Sequence, residues 1–148
     1  MKTAICYYSR HHGNTLRVLE AMALGQDVDL VDVTCRATVH LDGYDVVGFA
    51  SGIYYGKFHR AVLQFASQYL PQGKDVFFVC TYGSRKNTQS IAEVVHAKGS
   101  RILGEFGCRG YDTFGPLKLL GGIAKGHPSE DDLHRAGEFY RGLSSPAR

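Results

Sequence analysis

The chain has 148 residues, of which 44% are hydrophobic and 21% charged, and its formal net charge is +3. This length fits one domain of about 150 residues, and the composition excludes an intrinsically disordered chain. No apolar run approaches the ~18 residues of a membrane span, and the dispersed positive charges exclude a nucleic-acid-binding arm. We therefore expect one domain over residues 1–148 that binds neither a membrane nor nucleic acid.

Five segments have the apolar or alternating pattern that predicts β-strands. In chain order they are Lys2–Tyr8, Asp27–Val33, Tyr44–Ala50, Asp75–Thr81 and Arg101–Gly107. The apolar part of the first segment is too short for the core of a signal peptide. The protein is therefore expected to be cytoplasmic.

Four further segments place apolar residues at helical spacing. They are Asn14–Leu24, Phe58–Tyr69, Thr88–Ala97 and Ser129–Leu143, the last of which begins with a capping pair, Ser129 and Asp132. Strands that alternate with helices predict an α/β protein with a parallel sheet, right-handed crossovers and helices on both faces. The connection between Val33 and Tyr44 is too short for a full helix, so we expect a turn there.

The first strand runs directly into a polar loop that a helix follows. The N-terminus of a helix presents backbone N–H groups and the positive end of its dipole, and a glycine lets a bound group approach the backbone closely. This arrangement predicts a phosphate-binding loop, formed by Ser9, Arg10, His11, His12, Gly13, Asn14 and Thr15. The alternative is an ordinary strand-to-helix turn in which Asn14 caps the helix.

Two more loops follow the third and fourth strands, and each has a tyrosine immediately before a glycine. The carboxyl edge of a doubly wound sheet is where ligands bind, and two aromatic rings across that crevice would hold a flat heterocycle. The alternative is that these tyrosines only pack on the rim. The candidate residues are Ser51, Gly52, Tyr54, Tyr55 and Gly56 in one loop and Thr81, Tyr82 and Gly83 in the other.

The loop from Tyr8 to Thr15, together with Tyr55-Gly56 and Tyr82-Gly83, resembles the flavodoxin superfamily. The glycine-rich segments of 110–128 are similar to a short flavodoxin-like branch from bacteria. The resemblance implies a doubly wound, five-stranded parallel sheet of order 2-1-3-4-5 and one non-covalent FMN. It places the FMN phosphate on Ser9 to Thr15 and the flavin ring between the Tyr55 and Tyr82 loops.

The chain departs from that family at three positions. His11 and His12 stand where flavodoxins usually have hydroxyl residues, and Lys57 stands where an acidic residue is common. An imidazole N–H can still donate to a phosphate, so we expect an FMN-binding redox protein, either an electron carrier or a small flavin reductase. The alternative is a flavin-free regulatory or nucleotide-binding module on the same fold.

The partner of such a protein is a redox partner protein or a small-molecule electron acceptor. We expect the chain itself to be a monomer or a weak homodimer. The stretch from Gly107 to Pro128 leaves the same sheet edge and is long for a structureless loop, so we expect it to be functional. Within it, Cys108 next to Arg109 is expected to be an inert thiol rather than a reactive one.

Overall fold

The computed structural model describes residues 1–10, 13–35, 39–110 and 126–144. The strands are β1 (Thr3–Tyr8), β2 (Val28–Asp32), β3 (Val46–Tyr54), β4 (Lys57–Phe58), β5 (Asp75–Tyr82) and β6 (Arg101–Arg109). The helices are α1 (Asn14–Ala23), α2 (Arg60–Tyr69), α3 (Gln89–His96) and α4 (Glu130–Ser144), with one turn of 3-10 helix at Leu41–Gly43. No helix in these ranges has the length and apolar character needed to cross a membrane.

Five strands form a parallel sheet in the order β2-β1-β3-β5-β6, and β4 pairs antiparallel with the end of β3. The five-stranded parallel sheet and its predicted order 2-1-3-4-5 are therefore confirmed for the strands that cross the sheet. The two-residue strand β4 was not predicted. Its Phe58 is the first residue of the predicted helical segment Phe58–Tyr69, whereas the helix itself begins two residues later at Arg60.

The sheet has a hydrophobic cluster on each face. On one face α1 and α4 cover residues such as Ile5, Phe77 and Val79. On the other face α2 and α3 cover a second set, represented by Phe49 and Phe78. Successive strand residues point to opposite faces, so a strand buried on both sides has a continuous apolar run rather than an alternating one.

Close packing leaves no room for a side chain at Gly48 in the centre of β3. A Cβ atom there would lie 2.5 Å from Cζ of Phe77, whose ring is fully buried. Gly142 near the end of α4 is the opposite case, because a Cβ there would meet nothing within 4 Å. The packing of Phe77 therefore requires a glycine at position 48, whereas position 142 has space for a larger side chain.

We predict that Gly48→Ala lowers the free energy of unfolding by about 1–3 kcal/mol, the usual cost of overpacking a core. Gly142→Ala should raise it by up to about 1 kcal/mol, because alanine favours a helix more than glycine does. Urea unfolding followed by circular dichroism measures both. Equal midpoints for Gly48→Ala and the native chain would contradict the close approach of Phe77.

Candidate functional site

The carboxyl ends of β1, β3 and β5 lie side by side at one edge of the sheet, where α1 begins. A hydrogen bond between the hydroxyls of Thr15 and Thr81, 3.0 Å apart, ties the first turn of α1 to the end of β5. Both threonines are almost fully buried. Two of the predicted site residues, from loops 66 positions apart, are therefore brought into direct contact.

Gly13 is the residue before α1 and has φ 65°, ψ 21° in the left-handed region. The Ser9 hydroxyl accepts a hydrogen bond of 3.1 Å from the backbone N–H of Leu16, so it satisfies one amide of the first helical turn. A hydroxyl that accepts one bond keeps its proton to donate. Ser9 and Gly13 thus fix how the chain enters the helix.

The end of β6 passes close over the same helical turn. A Cβ atom on Gly110 would lie 2.6 Å from Nδ2 of Asn14, and the Gly110 N–H donates to the Tyr82 carbonyl over 2.9 Å. Asn14 is only 8% exposed. The start of α1 is therefore packed against the ends of β5 and β6, and Asn14 leaves no space for a side chain at position 110.

Arg10 lies beside the end of β2. Its guanidinium donates to the Thr34 hydroxyl over 2.6 Å and lies 3.9 Å from a carboxylate oxygen of Asp32, both at the end of β2. It also lies 5.8 Å from the centre of the Tyr8 ring. These contacts join Arg10 to the neighbouring strand, and its contact with a phosphate stays a prediction.

Tyr55 and Gly56 form the two-residue turn between β3 and β4. Their φ angles are 50° and 79°, and a type I′ turn requires both to be positive. A bulky side chain rarely adopts such an angle, yet Tyr55 does so while 83% of its surface is exposed. The turn therefore presents an aromatic ring to solvent at the sheet edge, at a cost in backbone strain.

Ser51 and Tyr54, the neighbours of this turn along β3, make contacts within the protein. Ser51 is fully buried; its hydroxyl donates to the Gly52 carbonyl and accepts 2.9 Å from the backbone N–H of His59. Tyr54 packs edge-on against Tyr8, with ring centres 6.2 Å apart. These contacts hold the hairpin and leave Tyr55 as its exposed ring.

The loop after β5 is anchored from both sides. Tyr82 is half-buried and packs against the hydrophobic cluster beneath α2 and α3. The Gly83 carbonyl accepts a hydrogen bond of 2.6 Å from the exposed guanidinium of Arg109. Tyr82, at the end of β5, and Tyr55, in the turn after β3, therefore lie at the same edge of the sheet, and Tyr82 is the more buried of the two.

His59 is a residue of this edge that the sequence analysis missed. Its imidazole stacks on Tyr8 with ring centres 3.7 Å apart and an interplanar angle of 8°. Its Nδ1 accepts a 3.0 Å hydrogen bond from the backbone N–H of Ala61, so it caps α2 and carries its proton on Nε2. A serine or aspartate there would have signalled a cap, whereas histidine is not among the usual capping residues.

Burial lowers the pKa of His59, and the neighbouring Arg60 charge lowers it further. Cys108 is buried, and burial raises the pKa of its thiol to about 12. Burial and a raised pKa both leave little thiolate near neutral pH, which favours the prediction of an inert thiol at Cys108. The predicted contacts of His11 and His12, and most of the stretch from Gly107 to Pro128, lie outside the described residues.

A cavity of about 640 Å³ lies between the hairpin turn, α2 and the start of α3. The Ser90 hydroxyl on its wall accepts a 3.0 Å hydrogen bond from the backbone N–H of Phe58, which ties the hairpin to α3. Its lining residues are Gly56, Lys57, Leu63, Asn87, Gln89, Ser90, Glu93 and Val94.

Comparison with known proteins gives consistent results. The family model described as the flavodoxin domain matches residues 4–110. An uncharacterized protein of Methanocaldococcus jannaschii is 35% identical over 147 residues, which span 97% of this chain and 98% of the relative. That relative is archaeal, so it does not support the expectation of a bacterial branch.

Solved flavodoxin structures share the fold. Oxidised flavodoxin 2 from Bacillus cereus matches with a TM-score of 0.71 and 15% identity over 97% of each chain. A flavodoxin from the domain Archaea has a TM-score of 0.70 and 21% identity over 97% of this chain and 96% of its own. The Fusobacterium nucleatum flavodoxin bound to flavin mononucleotide has a TM-score of 0.67 and 14% identity over 97% of each chain.

We predict that the capping role of His59 makes stability depend on pH. The pKa of His59 is lower in the folded than in the unfolded state, so the unfolded state binds the extra proton first. The stability that neutral His59 contributes is present above its unfolded pKa of about 6.5 and is lost as the pH falls through the lower, folded pKa. The free energy of unfolding should therefore drop as the pH falls below about 6.5.

The variant His59→Asn keeps a capping acceptor and removes the titration, so its drop over the same range should be smaller. His134→Asn is the matched control, because the His134 side chain on α4 is 69% exposed. Urea unfolding at several pH values measures all three proteins. An unchanged pH profile in His59→Asn would contradict the cap.

Proposed function

Because the chain belongs to the flavodoxin family, we propose that it is a redox protein that holds one FMN non-covalently at the carboxyl edge of its sheet. The observation that carries the proposal is the exposed ring of Tyr55, held at φ 50° beside the strand ends where α1 begins. Strain and exposure of an aromatic side chain both oppose stability. Stacking on a flat heterocycle gives that ring a function.

The residues present fit an FMN phosphate at the start of α1. Gly13 adopts a left-handed conformation with nothing within 4 Å of its Cβ position, so a group can approach its backbone. The positive end of the helix dipole favours an anion there. Gly110 keeps the opposite wall free of side chains, because a Cβ atom on it would collide with Asn14.

The residues of the two tyrosine loops fit the flavin ring. Tyr55 is placed to cover one face, and Tyr82 belongs to the loop on the other side of the crevice. Bound FMN supplies the electron-transfer chemistry, and the protein orients it and sets its electrostatic surroundings. Arg109 contributes a fixed positive charge beside the Gly83 carbonyl at this edge.

We assign the protein an electron-carrier role with a protein partner, since the exposed Tyr55 leaves this edge open to a second macromolecule. The second candidate is a small flavin reductase, which the cavity of about 640 Å³ beside the hairpin turn favours. A cytoplasmic location is part of the proposal, because the exposed free thiol of Cys35 fits a reducing compartment.

Titration of the apoprotein with FMN tests the cofactor site. Gly13→Val should weaken FMN binding by more than about tenfold, because valine is strained at positive φ and crowds the backbone. Gly25→Val is the matched control: Gly25 has φ +72° and open space, but it follows α1 at the opposite edge. Both variants should lose stability, and only Gly13→Val should lose FMN affinity.

Tyr55→Ala should weaken FMN binding by about 5- to 100-fold, taking the roughly 1–3 kcal/mol of base–aromatic stacking as a guide. Leu24→Ala is the control, since Leu24 is also 83% exposed but lies at the end of α1 away from the site. Flavin fluorescence quenching measures each affinity. Unchanged FMN affinity in both Gly13→Val and Tyr55→Ala would contradict the proposed FMN site.

A further inference from the structure

The charges of the chain are unevenly distributed around the sheet. Between positions 46 and 93 there are five Lys and Arg residues and two carboxylates, Asp75 and Glu93. Glu93 lies on α3 and lines the same cavity as Lys57. Asp75 lies at the amino end of β5, where Arg101 pairs with it at 2.8 Å. Its charge is therefore matched at the edge opposite the candidate site.

The cations near the candidate site form what we call the basic rim. It consists of five exposed residues: Lys57 in β4, Arg60 at the start of α2, Arg85 and Lys86 in the loop after β5, and Arg109 at the end of β6. Lys86 pairs with Glu105 at 3.2 Å, and Arg109 donates to an uncharged carbonyl. Within the described ranges, no carboxylate lies at ion-pair distance from Lys57, Arg60 or Arg85.

Helix stability does not explain these cations. Helix N-termini favour negative charge, yet the first turns of α2 and α3 contain no acidic residue. Arg60 is the first residue of α2, and Arg85 and Lys86 come shortly before α3. The first turn of α4, by contrast, contains Glu130, Asp131 and Asp132.

Negative charges at the start of α4 and at Asp32 confine the basic rim to one face of the sheet at its carboxyl edge. Asp32 faces Arg10, and α4 packs on the same sheet face as α1. The unpaired cations belong to the α2 and α3 side, which also carries the Tyr55 turn. The surface there therefore combines exposed positive charge with one exposed aromatic ring.

We propose that the basic rim docks an acidic protein, which is the electron-transfer partner of this chain. The inference rests on the proposed function, because docking there brings the partner to the edge where the flavin would be held. Arginine and aromatic side chains are enriched in protein interfaces, and complementary charge at the rim of an interface accelerates association. The face of the Tyr55 ring that is turned away from the flavin supplies the apolar contact, and the cations around it select a negative surface.

Isothermal titration of the purified chain with a plant-type [2Fe–2S] ferredoxin, a small acidic protein, tests the proposal. We expect binding that weakens strongly between about 20 mM and about 200 mM salt, as exposed charges are screened. Lys57→Glu combined with Arg85→Glu should weaken it by about tenfold or more at low salt. Lys98→Glu, which reverses one charge rather than two and lies before β6 at the opposite edge, should have less than about a twofold effect.

Three parallel titrations define the outcomes that would overturn the proposal. The proposal is contradicted if the chain binds basic mitochondrial cytochrome c, a 20-base-pair DNA duplex or phosphatidylglycerol vesicles more tightly than it binds ferredoxin. It is also contradicted if Lys98→Glu and the double variant bind ferredoxin equally well. Absence of ferredoxin binding at low salt would also refute it. FMN affinity is measured separately on the same proteins, so failure of the cofactor site and failure of the docking surface are distinguishable.

Discussion

The parallel sheet imposes the constraint on which the rest of the structure depends. Its central strands are buried on both faces, so they are almost entirely apolar and reach water only at their ends. All carboxyl ends meet at one edge, and the polar residues, glycines and tight turns collect there. The hydrogen bond between Thr15 and Thr81 joins the first turn of α1, the helix that follows β1, to the end of β5. The candidate site is therefore a direct consequence of how the core is buried.

The sequence predicted the elements whose signal is periodic or local. The five parallel strands and four helices follow from apolar spacing, and Ser129 and Asp132 form the capping pair that their spacing indicated. The two-residue strand β4 is too short to produce a pattern. The direction of Arg10 depends on Thr34, which reaches it only through the pairing of β1 with β2.

The starts of α4 and α2 show that a helix can be capped either by a charged or by a neutral side chain. At the start of α4, Asp132 is held by its hydrogen bonds: burial raises its pKa, but the bonds from the Ser129 amide and His127 outweigh this and lower it. At the start of α2, capping comes instead from the neutral imidazole of His59. A neutral cap satisfies the helix amides without adding a negative charge, so the surface on that side stays positive. The role of His59 could not be predicted from the sequence, because it depends on stacking against Tyr8.

The distribution of thiols provides one site for selective chemical labelling. Of the four cysteines, Cys6, Cys80 and Cys108 are buried, and burial raises the pKa of each to about 12. Cys35 alone is exposed, in the turn that follows β2. A maleimide dye or nitroxide label would therefore attach to one position of the native chain without any engineered cysteine. That position lies beside the carboxyl edge, so the label would be a local reporter of what arrives there.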